Sequence, residues 1–117
     1  MKPSPAPPWT LAVSGDDYGN KEFGGRDLFE ALIALRRDIE AQGGRLLCAG
    51  ARRDVYSSGM ARSMGNARKA YVMKLGEPAT VMVDIFDHAD PNLVSTIDEQ
   101  RNFRDQWVAS LKERFGA

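Results

Sequence analysis

The chain has 117 residues, room for about one ordinary domain. Its 16 basic and 16 acidic residues cancel, which excludes a generally basic nucleic-acid wrapper but leaves room for a local patch. Apolar residues at 43% and charged residues at 27% describe a folding chain rather than a disordered one, and the lone Cys48 excludes an internal disulfide framework.

In chain order, Met1 to Pro8 carries four prolines and no apolar core for a signal peptide, so it reads as a flexible lead-in. Trp9 to Ser14 is a short apolar run closed by Gly15 and predicts a strand. Asp16 to Gly25 is full of turn formers and predicts a loop. Asp27 can cap a helix, with Glu30 three residues on, and Leu28, Leu32, Leu35 and Ile39 then mark one helical face. Phe29 and Ile33 widen that face, and Gly43-Gly44 ends it.

Arg45 to Ala49 predicts a second strand, parallel to the first because a helix joins them. Lys69 to Leu75 and Thr80 to Phe86 predict a hairpin, with Val81, Val83 and Ile85 on one face and Met82, Asp84 and Phe86 on the other. A last helix is expected from Asp90 or Ser95 to Phe115, with Ser95 and Asp98 as one capping pair and Asp90-Pro91 as another start. Phe103, Trp107, Leu111 and Phe115 would give it a core-facing stripe, with Val108 beside them. The order β-α-β-β-β-α predicts an α+β fold, a small mixed four-stranded sheet with two helices, as one domain over residues 9–117.

Gly50 to Ala70 does not read as scaffold. It lacks a clear period and is long for a connection. It holds Arg52, Arg53, Arg62, Arg68 and Lys69 against Asp54, a formal charge of +4. Asp84 to Glu99 carries Asp84, Asp87, Asp90, Asp98 and Glu99 with no lysine or arginine, a formal charge of −5. The neutral total thus conceals a segregation. Arginine suits such a segment because its planar fork binds a carboxylate or phosphate through two parallel hydrogen bonds. Tyr56 would add a hydroxyl, and Asp84 and Asp87 are the acidic counterparts. The plain alternative is that these arginines pair with the chain's own acids.

Specific chemistries find little footing. Gly59 and Gly65 miss the phosphate-loop spacing, and Asn66 stands where its lysine belongs. Cys48 sits in an apolar run, and neither Ser57 nor Ser58 lies in a nucleophile elbow. Asp84, Asp87, His88 and Asp90 lack a calcium-loop spacing and offer one imidazole, too few strong ligands for zinc. No cofactor, metal or membrane span is expected, and nucleic acid is disfavoured by the acidic segment.

Two readings remain from these residues. The first is a cytoplasmic, non-enzymatic protein-binding module, of the immunity or inhibitor kind, whose partner has complementary charge at Arg52, Arg53, Tyr56, Arg62, Arg68, Lys69, Asp84 and Asp87. The second is a small enzyme or ligand-binding domain that holds a phosphate or carboxylate with its arginines, with Asp54, Asp84 or His88 as acid–base groups.

Overall fold

The structure is a computed structural model, and it describes residues 1–57 and 67–115. It is α+β, with two helices and two three-stranded antiparallel sheets rather than one mixed four-stranded sheet. The first sheet contains β1 (Lys2–Pro3), β2 (Trp9–Gly15) and β3 (Gly19–Gly25) in that order, followed by α1 (Leu28–Ala41). The second contains β4 (Val55–Tyr56), β5 (Lys69–Lys74) and β6 (Glu77–Asp84), followed by α2 (Ile97–Phe115).

The predicted loop at Asp16–Gly25 is mostly strand. Turn chemistry is spent within residues 16–18, and Asn20 to Gly25 pair with β2 residue for residue, from Gly15↔Gly19 to Trp9↔Gly25. β3 needs little hydrophobicity of its own because β2 supplies the ladder, and Phe23 opposite Leu11 is its one large apolar anchor. At the other edge, Lys2 and Pro3 pair with Ala12 and Leu11, and Ser4 ties this lead-in to Thr10 through its amide and hydroxyl.

α1 forms as its sequence predicts. Asp27 is extended, and its carboxylate accepts the Glu30 amide at 2.7 Å. Leu28, Phe29, Ala31, Leu32 and Leu35 are buried in the core, while Ile33 and Ile39 pack at its margin. The helix ends as Gly43 donates to Glu40 and Gly44 to Ile39, with Gly43 at φ +84°, where a side chain would be strained.

The expected strand at Arg45–Ala49 is absent. Only Cys48 makes a bridge, antiparallel to His88, and Ala49–Ala51 turn into a short 3-10 helix. The cause is the run of small residues. Ala49, Gly50 and Ala51 are buried, and a Cβ on Gly50 would lie 2.4 Å from Leu32 Cδ2 and 2.9 Å from Ile85 Cβ. The chain therefore wedges between α1 and the end of β6 instead of extending beside β2. Without that parallel crossover, the strands divide into two sheets.

The β5–β6 hairpin turns at Leu75-Gly76, so β6 starts at Glu77, earlier than the predicted Thr80. α2 starts at neither expected cap. Thr96 Oγ1 accepts the Glu99 amide at 3.1 Å and Glu99 Oε1 accepts the Thr96 amide at 2.9 Å, a reciprocal box one residue beyond Ser95 and Asp98. Its aromatic stripe is only half-buried: Phe103, Trp107, Val108 and Leu111 all lie at the margin. Polar points dock the helix instead, with Trp107 Nε1 donating to Glu77 O at 2.9 Å and Ser110 Oγ accepting the Gly76 amide at 2.8 Å.

Candidate functional site

The segment after the 3-10 turn is fixed from inside by Arg36 and Gln100, neither of which the sequence reading singles out. Both are 1% exposed. Arg36 Nη1 donates to Gln100 Oε1 at 2.7 Å and Nη2 to Ser95 O at 3.0 Å, while Glu40 Oε2 lies 3.5 Å from Nε. Gln100 Nε2 then lies within 2.9 Å of Gly50 O and Arg52 O and 2.7 Å of Val55 O. Burial lowers the Arg36 pKa from its ordinary value, opposed by the nearby Glu40 charge. The sequence signal for this centre was available: Arg36 stands four residues after Leu32, on the helix face that is otherwise apolar.

From that anchored backbone the two adjacent arginines take different surroundings. Arg52 forks onto Asp54 with bonds of 2.9 and 2.8 Å, so its charge is answered locally. Arg53, whose amide donates to Leu93 O at 2.9 Å, sets its guanidinium over the Phe103 ring, 5.5 Å from the centroid. It is exposed and makes no ion pair among the described residues.

Arg68 donates to Asp84 Oδ2 at 2.8 Å and lies over the Phe86 ring. Asp84 is thereby the internal receiver of one loop cation. Burial alone would raise its carboxyl pKa, but the Phe86 amide and Arg68 outweigh that and hold it below the ordinary value. Lys69 is exposed opposite Asp84 in the β5–β6 register. Tyr56 is half-buried between the edge of Phe29 and the Arg104 guanidinium. Asp87 is exposed, with its main chain bonded to Asp84 and Ala49. Arg62 lies outside the described residues. The seven described candidates do not converge on one site.

What does converge is a groove of about 400 Å³ beneath Arg53, with Asp54, Met73, Lys74, Leu75, Leu93 and Phe103 in its lining. A second hollow of about 180 Å³ shares Arg53 and Phe103 and continues along α2 to Glu99 and Gln106. The surface mixes two exposed cations, Arg53 and Lys74, with the exposed apolar side chains Leu75 and Leu93. Lys74 and Leu75 went unnoticed in the sequence because Leu93 lies eighteen residues beyond Leu75, on a separate loop. Only the turn of the β5–β6 hairpin brings the first two toward the third.

Other chemistry is poorly placed. Cys48 is buried, and that burial raises its thiol pKa, away from a reactive thiolate. Among the described residues no three of His, Cys, Asp and Glu come together to hold a metal ion. No helix among them is long and apolar enough to cross a membrane. No family model matches the chain, and no curated protein matches it.

Proposed function

We propose that this chain is a non-enzymatic protein-binding module whose partner presents a carboxylate beside apolar side chains. The observation that carries this reading is Arg53, exposed over Phe103, without an ion pair among the described residues, at the head of a groove that mixes apolar and charged walls. A guanidinium already stacked on an aromatic ring gains from a carboxylate in its plane, because stacking leaves the N–H fork free. Arg52 and Arg68 fall away as direct contacts, since each is matched to an acid in the fold. Arg52, through its pair with the groove-lining Asp54, holds the turn at the head of the groove.

Buried arginine and aromatic anchors carry most of the energy in known interfaces, and charge at the rim mainly sets the rate of encounter. The test is affinity capture from the source cell at low salt with wild type, Arg53→Ala, Phe103→Ala and Lys69→Ala. A partner held by wild type should be lost with the first two substitutions, retained with the third, and weakened by added salt. Capture indifferent to both Arg53 and Phe103 would remove the groove from the reading.

A further inference from the structure

The groove beneath Arg53 also constrains which carboxylate fits it, and this inference rests on the binding reading above. Three charged side chains line the groove: Arg53, Asp54 and Lys74. Asp54 spends both carboxylate oxygens on the Arg52 fork, at 2.9 and 2.8 Å. Arg53 and Lys74 are exposed and make no ion pair among the described residues. Glu99 shares the adjoining hollow with Arg53, but it is committed to the start of α2, where its Oε1 accepts the Thr96 amide at 2.9 Å. The lining thus holds two cations that complement an anion from outside.

Apolar surface begins directly under the cation. Arg53 lies 5.5 Å from the Phe103 ring centroid, Met73 is buried in the same lining, and Leu75 and Leu93 are 52% and 41% exposed in its walls. An occupant must therefore carry a carboxylate and an apolar side chain within one residue's reach of each other. An internal acidic residue of an extended segment does this poorly. Its neighbours point to the opposite face, and the next side chain on its own face stands about 6–7 Å away. A helix does carry same-face pairs, but it is about 10–12 Å across with its side chains, so a groove of about 400 Å³ takes no more than about one turn of it. The last residue of a chain meets the requirement by covalent structure, because its carboxylate and its side chain share one Cα.

We propose that the occupant is the carboxyl terminus of a partner polypeptide that ends in a large apolar residue. The terminal carboxylate takes the Arg53 fork through two parallel hydrogen bonds, and Lys74 adds a point charge. The terminal side chain lies against Phe103 and Met73, while Leu75 and Leu93 flank it and exclude water, as rim contacts do around an interface anchor. Chain ends are a recurrent target of peptide-binding proteins.

The test is to select peptides of random sequence, displayed with free carboxyl ends, against the full chain. The selected peptides should end in a large apolar residue. Amidating the carboxyl end of such a peptide should weaken its binding about tenfold or more in fluorescence polarisation, and so should Arg53→Ala in the protein. Lys74→Ala should weaken it about two- to fivefold. Arg53→Lys keeps the charge without the fork and should not match wild type. Circular dichroism verifies that each variant remains folded. A selected peptide that binds equally well as its amide overturns the inference. If that peptide still depends on Arg53 and on an internal acidic residue, the binding reading stands without it. A selection that yields no Arg53-dependent peptide also overturns the inference, and capture from the source cell then judges the binding reading separately.

Discussion

The two helices are held by opposite kinds of force. α1 places Leu28, Phe29, Leu32 and Leu35 in full burial against the first sheet, so apolar area removed from water fixes it. α2 runs along the second sheet with Phe103 and Trp107 half-buried, and among its described side chains the long one that is fully enclosed is the amide of Gln100. Hydrophobic burial is non-directional and tolerates small shifts, whereas an amide shared among three carbonyls fixes position to fractions of an ångström. The groove proposed for binding lies on the side of the molecule built with directional contacts. Its head, Arg53, sits between two residues, Arg52 and Asp54, whose mutual ion pair holds the turn.

The contrast is broken most forcefully at α1. Leu32→Ala empties a fully buried site against Gly50 and should cost about 3–4 kcal/mol in chemical unfolding. A cost below about 1 kcal/mol would mean that the first half is not held by packing as described. At α2 the corresponding experiment is Gln100→Ala, which removes the acceptor of Arg36 Nη1 and the amide donor that the carbonyls of Gly50, Arg52 and Val55 share. The expected loss is about 2–3 kcal/mol. Gln100→Glu sharpens the point. It sets a carboxylate on a buried cation yet removes the amide N–H groups, so it should also destabilise at neutral pH. If Gln100→Glu were instead more stable than wild type, charge compensation of Arg36 would outweigh carbonyl satisfaction and the polar account of α2 would be wrong.

What the sequence could reveal follows the same division. α1 was legible because its signals are local: Asp27 as cap, an apolar stripe at helical spacing, and the Gly43-Gly44 stop all lie within 18 residues. β3 was not, since Asn20 to Gly25 are polar or glycine except for Phe23, and only pairing with β2 makes them a strand. The start of α2 was missed by one residue because Ser95/Asp98 and Thr96/Glu99 have the same capping chemistry. For the candidate site, charge segregation was plain, but the availability of each cation was not. Arg52 finds its acid two residues away and Arg68 sixteen away, while Arg53 finds an aromatic ring on a distant helix. Those choices depend on how the chain is threaded through Gly50, and residue spacing alone does not encode that path.

The smallest expected effect lies outside both cores, where Tyr18 joins the first hairpin to α1. Its hydroxyl donates to Asp38 Oδ2, and Lys21 reaches the same oxygen at 3.1 Å while lying 4.3 Å from the Tyr18 ring centroid. Removal from water, then the bond to Asp38 and its charge, push the Tyr18 pKa up to about 12. The hydrogen bonds from Tyr18 and Lys21 hold the Asp38 carboxyl below its ordinary value. The signs are opposite and bracket a window. Asp38's contribution is present above the ordinary carboxylate range and fades as pH falls through its lowered folded value. Tyr18's contribution is present below pH 10.0, its ordinary value, and fades as pH rises toward about 12. Ultraviolet titration should show a tyrosine step near 12 that disappears in Tyr18→Phe and moves downward in Asp38→Asn. Solvent screens these groups, so stability should change little even at neutral pH. If the Asp38→Asn titration matched wild type, the carboxylate would not be shaping Tyr18, and the hairpin would be held to α1 by Trp9, Leu11, Val13 and Phe23 packing alone.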